Sequence, residues 1–272
     1  MNSDTALKIE GGRRTLGLQR SEPPLVTVIT VVFRACAELE KILHNIFEHD
    51  STDFELIVID GGSQDGTVDM LCEWNDRIEY WVSEPDKGIF DAMNKAQSFA
   101  RGHFLLHINA GDKLLLLPRE ELKQAFRDRI DVVTFPVTVD GTRVFRPSCG
   151  PMLRLKNTLH HQGTFYRRET FLPYDLSYPM LADFDLNQRL ALRGAKMRAY
   201  DKVVAWHASG GAGDSIDGYA EHTRIMLTNY GRLHLYASIA LSEWKGIKSR
   251  RKAAFLRWLA KYRGKSSGKA QS

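Results

Sequence analysis

The sequence predicts an α/β fold: a mostly parallel central sheet with helices on both faces. Two observations carry this. Apolar, largely β-branched runs at residues 25–33, 54–59, 78–82 and 103–108 alternate with segments whose apolar residues recur at helical spacing. Strand–helix alternation with short connections builds parallel strands joined by helical crossovers. Each run also stops abruptly in polar or glycine residues: Asp60-Gly61-Gly62, Glu84-Pro85-Asp86 and Asn109-Ala110-Gly111-Asp112. In open α/β sheets, ligands sit beyond the carboxyl ends of the strands, near a change in strand order. At 272 residues, 43% hydrophobic and 26% charged, the chain has the size and balance of one large globular domain with appendages.

In chain order, residues 1–24 are polar, end in Pro23-Pro24 and read as a flexible leader. Leu25–Phe33 reads as a buried strand. Leu39, Ile42, Leu43, Ile46 and Phe47 mark a helix over 38–49. Phe54–Ile59 is a second buried strand ending at Asp60, 65–74 a short helix, and 78–82 a third strand. Residues 89–100 form a helix that Gly102 stops, and 103–108 is the fourth strand. Beyond 113 the pattern loosens. A helix is expected over 119–127, a hairpin from 131–139 and 143–145 around Asp140-Gly141-Thr142, a strand at 163–167, and an amphipathic helix over 183–193 stopped by Gly194. A last strand spans 197–207, and 217–242 is mainly helical. The expected organisation is thus a leader (1–24), a globular domain (25–242, halves 25–115 and 116–242) and a tail (243–272).

The charge is unevenly spread. Residues 243–272 hold ten Lys/Arg and one Glu, about +9, so the rest of the chain is near −4 out of a total of +5. Within the tail, Phe255, Trp258/Leu259 and Tyr262 recur at i, i+3/4, i+7 among basic residues. That pattern suits a helix lying on an anionic membrane surface, and equally a solvated basic tail. No nucleic-acid motif accompanies the charge, so no nucleic-acid partner is expected. No apolar run reaches the ~18 residues of a spanning helix, and the N-terminus lacks a signal-peptide core. A cytoplasmic protein, held at the inner face of the membrane by its tail, is expected. Cys36, Cys72 and Cys149 are scattered without metal-ligand spacing and read as reduced thiols, with no zinc site.

Three constellations carry chemistry. Asn109-Ala110-Gly111-Asp112 brings small residues and one carboxylate to a strand end. Mg²⁺ often takes one or two carboxylates and fills other positions with substrate phosphates, although Asn/Asp/Gly also make ordinary turns. Asp60-Gly61-Gly62-Ser63-Gln64-Asp65-Gly66-Thr67 allows close backbone approach to a ligand, with Ser63 or Asp65 able to cap the next helix. It lacks the Gly-Lys-Ser/Thr ending of a P-loop and the Gly-x-Gly-x-x-Gly of a dinucleotide site. In Glu84-Pro85-Asp86-Lys87-Gly88 and the helix after it, Asp91 and Lys95 share a face four residues apart, as ligand contacts or as an i,i+4 ion pair.

Together with Thr27-Val28-Ile29-Thr30-Val31-Val32-Phe33 and Asp91-Ala92-Met93-Asn94-Lys95, this ordered series resembles glycosyltransferase family 2. It is most similar to bacterial members of the exopolysaccharide, colanic-acid and O-antigen type. The resemblance implies the GT-A nucleotide-sugar fold and an inverting, metal-dependent transfer. A sugar would pass from a nucleotide diphosphate sugar, UDP-linked by preference, to a hydroxyl of a saccharide or lipid-linked acceptor in surface polysaccharide synthesis. The resemblance places Thr30, Val32, Asp60, Asp86, Lys87, Asp91, Lys95, Asn109, Ala110 and Gly111 at the nucleotide sugar. Asp112 becomes the acid of the family's Asp-x-Asp motif, holding Mg²⁺ or Mn²⁺. Asn109 or Ala110 stands where a first Asp is usual. Asp183 aligns with the second member of the family's acidic pair and becomes the general base; Ala182 replaces the first. His161, Gln162 and Asp185 are expected at the acceptor or the cleft wall, and His207, in a Trp206-His207-Ala208-Ser209-Gly210-Gly211 stretch, as a further metal ligand. The weakened motifs keep a second reading open: a non-catalytic nucleotide-sugar-binding or assembly subunit.

Overall fold

The structure, a computed structural model, describes residues 8–18, 20–208 and 216–241. The chain divides into two compact units, residues 1–222 and 223–272. The expected Gly210-Gly211 stretch and basic tail, at residues 209–215 and 242–272, lie outside the described residues.

The first unit is the expected α/β body. Strands β1 (Ile9–Gly11), β2 (Val26–Val32), β3 (Phe54–Asp60), β4 (Tyr80–Ser83) and β5 (Phe104–His107) enter the main sheet, with α1 (Cys36–Phe47), α2 (Thr67–Glu73) and α3 (Ile89–Phe99) as crossovers. β2 pairs in parallel with β3 and β5, and β3 with β4. All seven residues of β2 and of β3 are buried, as continuous apolar runs in a sheet covered on both faces must be. α1 turns Leu39, Ile42, Leu43 and Ile46 inward, each worth about 2 kcal/mol of apolar burial.

After β5 come β6 (Lys113–Leu114), α4 (Arg119–Arg127), β7 (Val132–Thr134), β8 (Val137–Val139), β9 (Arg143–Phe145) and β10 (Thr164–Arg167). α5 (Ala182–Leu192), β11 (Met197–Ala199), β12 (Ala205–His207) and α6 (Ile216–Asn229) follow. Among the described residues the main sheet runs β1-β4-β3-β2-β5-β10-β7-β11, and a smaller sheet runs β6-β12-β8-β9. The chain steps outward from β2 to β4, then returns to lay β5 on β2's other side. This change of direction opens its crevice between the carboxyl ends of β2 and β5, where Asn109–Asp112 begins.

Four expectations need correction. The leader is not wholly loose: β1 pairs antiparallel with β4, and Arg14 donates to Glu55 at 2.7 Å and Glu79 at 3.4 Å. Glu55 is 2% exposed and also accepts from Thr27 Oγ1 and the Arg101 and Gly102 amides. A buried carboxylate needs such partners, and a local pattern reading cannot see that the leader supplies one. Residues 131–139 are two strands, not one: Phe135-Pro136 turns the chain out of the main sheet into the smaller one. Residues 197–207 split in the same way into β11 and β12. Finally, α5 is not simply amphipathic, because Asp185, Asn187 and Gln188 are buried. The hairpin holds, with Asp140 and Gly141 both at positive φ in its turn. Gly102 does more than stop a helix, since a Cβ there would collide with the Thr27 amide nitrogen.

Candidate functional site

The loops after β2, β3 and β4 are tied to each other. Asp60 is fully buried. Its carboxylate accepts from the Gly62 and Ser63 amides and from the hydroxyls of Ser63 and Ser83. Ser63 Oγ accepts in turn from the Arg34 amide at 2.7 Å, and Asp65 from the Cys36 amide. Asp60 therefore shapes the loop that faces the crevice, with its own oxygens already engaged. Thr30 is likewise buried, its hydroxyl donating to the Ile108 carbonyl at 2.8 Å; it joins β2 to β5 at the seam. Val32 lies in the hydrophobic core.

Asp86 closes over Gly61: a Cβ on Gly61 would meet Asp86 Oδ2 at 2.7 Å and Phe33 at 3.1 Å. Asp86 caps the Gly88 amide at 2.8 Å, while Lys87 is exposed. Asp91 accepts from the Lys87 amide at 2.9 Å. Lys95 binds Glu84 at 2.9 Å and the Pro85 carbonyl at 2.8 Å, with Asp91 at 4.0 Å. The pair at 91 and 95 thus pins the 84–88 loop onto α3 more than it forms an isolated surface ion pair.

Asp112 is the centre of the site. It is 7% exposed. Oδ2 accepts from the Asn109 amide and from Gln162 Nε2, both at 3.0 Å, and Oδ1 lies 2.7 Å from His207 Nδ1. Gly111, at φ +97°, turns the chain so that this carboxylate folds back on the strand end. Ala110 packs against the core. Gln162 stands on a single 3₁₀ turn, His161–Gly163, and β12 brings His207 from 95 residues away. Among the described residues Asn109 Oδ1 and Gln162 Oε1 are buried without a hydrogen-bond partner. One carboxylate, one imidazole and two unpaired carboxamide oxygens form a donor set that suits Mg²⁺ or Mn²⁺. No group of three or more His, Cys, Asp or Glu side chains gathers among the described residues. A bound ion would therefore rest on Asp112 and His207 and complete its shell from phosphate and water. His160 stacks edge-on against His207 at 5.0 Å. Burial, with smaller contributions from the neighbouring His161 and His207, pushes it down to about 4, leaving it uncharged near neutrality.

Asp183 stands in the first turn of α5. Oδ2 accepts from Asn157 Nδ2 and Oδ1 from the Phe184 amide, both at 2.8 Å. His161 Nδ1 lies 3.9 Å from Oδ2. The same 3₁₀ turn therefore touches Asp112 through Gln162 and Asp183 through its neighbour His161. Asp185 does not join them: it is buried and bound to Arg189 at 2.6 Å, since two residues along a helix turn a side chain away.

Three further residues stand at the site without an expected role of their own. Phe33, just beyond the end of β2, is 55% exposed. Arg34 takes a left-handed φ of 51° and stacks over Phe33 at 4.9 Å. Asn157 had no motif around it; the asparagine-rich contacts that single it out exist only in the folded chain.

Comparison with known proteins bears on the fold and its relatives. The profile of Glycosyl transferase family 2 matches residues 27–144. A "PGL/p-HBAD biosynthesis glycosyltransferase" of Mycobacterium bovis is 31% identical over 206 residues, covering 71% of this chain and 80% of the relative. An uncharacterized glycosyltransferase of Mycobacterium tuberculosis, Rv1514c, is 28% identical over 184 residues, 62% of this chain and 70% of its own. Among solved structures, S. aureus TarS 1–349 in complex with UDP-GlcNAc superposes with a TM-score of 0.59 at 15% identity, covering 75% of this chain and 66% of that one. The mannosyltransferase PcManGT of Pyrobaculum calidifontis, in complex with GDP-Man and Mn²⁺, gives 0.54 at 21%, covering 72% and 60%. The chain spans only 39% of the longer TarS chain. At these identities the structural likeness shows the fold.

Proposed function

We propose, since the chain belongs to glycosyl transferase family 2, that it transfers a sugar with inversion from a nucleotide diphosphate sugar to a hydroxyl of a saccharide or lipid-linked acceptor in surface glycan synthesis. The observation that carries this reading is the 3₁₀ turn at His161–Gly163. Adjacent residues on it reach Asp112 and Asp183, so a diphosphate-side acid and a base candidate share one crevice at the β2/β5 switch point. In this reading Asp183 accepts the acceptor hydroxyl proton as that oxygen attacks the anomeric carbon. Asp112 and His207 would hold Mg²⁺ or Mn²⁺, which when bound would supply positive charge against the departing diphosphate. Phe33, Asp86 and Lys87 line the nucleoside side, and Asp60 keeps the loop beneath them in shape. The UDP-GlcNAc complex of TarS favours a uridine donor. A panel of UDP-Glc, UDP-GlcNAc, UDP-Gal and GDP-Man, each with and without Mn²⁺, tests this by thermal shift. The expected result is stabilisation by one donor that depends on Mn²⁺; no shift with any donor sinks the reading.

Membrane contact belongs to the same proposal. In the helical stretch 232–241, Leu233 is 79% and Tyr236 65% exposed, one helical turn apart, and the +9 segment 243–272 follows. Apolar side chains beside clustered cations suit an anionic lipid surface. The protein is expected to co-sediment with phosphatidylglycerol vesicles and much less with phosphatidylcholine vesicles, and a Leu233→Asp/Tyr236→Asp variant less than wild type. Equal binding to both lipids would refute this contact.

A further inference from the structure

Asp183 ends a directed chain of side-chain hydrogen bonds that begins in the core. Tyr166 Oη donates to Asn187 Oδ1 at 2.9 Å, Asn187 Nδ2 to Asn157 Oδ1 at 3.3 Å, and Asn157 Nδ2 to Asp183 Oδ2 at 2.8 Å. Tyr166 and Asn187 are fully buried, on β10 and α5 respectively.

The direction follows from donors and acceptors that have no choice. The Leu159 amide lies 3.3 Å from one end of the Asn157 carboxamide. A backbone N–H only donates, so that end is the oxygen, and the nitrogen faces Asp183. An ionised carboxylate only accepts, which demands the same orientation. Asn187 meets the Asn157 oxygen and must present its own nitrogen there. Its oxygen then faces Tyr166, whose hydroxyl must donate. Burial first, and the nearby Asp183 charge second, hold the Tyr166 phenol above its ordinary range, so it keeps the proton it donates. Each link points its positive end toward Asp183, and chained hydrogen bonds polarise one another in that sense. With Asn157 on Oδ2 and the Phe184 amide on Oδ1, the carboxylate is locked in one rotamer. Its remaining lone pairs are free for an acceptor hydroxyl.

We propose that Asn157, oriented by Asn187 and Tyr166, is the positioning residue of the general base: it holds Asp183 in the rotamer that proton acceptance requires. The proposal rests on the reading of Asp183 given above. Its test has two arms, so that the two can fail separately. In the first, the side-chain amide signals of Asn157, assigned by Asn157→Ala in a ¹⁵N-labelled sample, are followed by NMR. They are expected to move on Asp183→Asn, and to move less, in the same sense, on Tyr166→Phe. Signals unchanged by Asp183→Asn overturn the relay whether or not the protein turns over.

In the second arm, release of the nucleoside diphosphate from UDP-GlcNAc, or from whichever panel donor binds, with water taking the glycosyl group, is measured as kcat and donor KM. Asn157→Ala is expected to lower kcat about tenfold, the loss of one charge-assisted hydrogen bond. Donor KM stays unchanged, so the loss falls on kcat alone. Tyr166→Phe acts in the same direction and less. A fall in kcat matched by a rise in donor KM, or a fall that tracks a lower melting temperature, means a structural role only and overturns the proposal. A wild type that turns over no donor overturns the transferase reading, while the amide signals still decide the relay.

Discussion

Asp112→Ala is expected to remove Mn²⁺-dependent donor binding. Asp112 is the one carboxylate of the strand-end motif, because Asn109 and Ala110 stand where a second acid is usual. Its two oxygens also gather the Asn109 amide, Gln162 and His207, so its removal takes away both the charge a cation needs and the anchor that aims His207. Isothermal titration of the best panel donor in Mn²⁺ should show affinity roughly a hundredfold weaker, about 2.7 kcal/mol. In the absence of metal, binding of UDP should differ little between wild type and variant. Asp112→Asn is the control: it preserves shape, loses the charge and turns one acceptor oxygen into an amide donor, and should lose the metal dependence equally. Donor binding that stays Mn²⁺-dependent in Asp112→Ala would remove Asp112 from the metal site.

Asp183→Asn is expected to leave donor binding intact and to lower kcat roughly a thousandfold, within the range that a positioned general base contributes. The substitution is nearly isosteric, and with its oxygen toward Asn157 Nδ2 the amide preserves that hydrogen bond, so packing at the start of α5 should persist. What it loses is the ability to take a proton, together with acceptance from the Phe184 amide, which would face the new side-chain nitrogen. The two substitutions therefore separate two functions: the first weakens the donor complex, the second slows the step within it. Single-turnover product release against donor titration distinguishes them. If Asp183→Asn turns over at the wild-type rate, Asp183 is not the base.

The parallel half of the fold was legible because its signals are local. Runs such as Val26–Val32 and Phe54–Asp60 are buried on both faces, and such strands read as continuous apolar stretches. Their helices bury residues at helical spacing, and the expected boundaries fell within two residues at 36–47 and 89–99. The second half was less legible because its strands are three or four residues long and change sheet mid-run. No periodicity marks where Phe135-Pro136 leaves one sheet for another.

The candidate site divides on the same line. Asn109–Asp112, Asp86–Lys87 and Asp183 stand out because strand ends and helix starts are visible in the order of residues alone. The resemblance implies ligand contacts at Thr30, Val32 and Asp60. Folded, they join the sheet, fill the core and shape the loop. The chain's own order of residues settles which elements form and which polar groups lie at the sheet's carboxyl edge, because periodicity, turns and caps act over a few residues. Whether such a group faces the crevice or turns inward depends on partners far along the chain: His207 for Asp112 across 95 positions, Asn157 for Asp183 across 26. Hydrogen-bond satisfaction of buried polar atoms is a property of three-dimensional proximity, and only the packed molecule determines it.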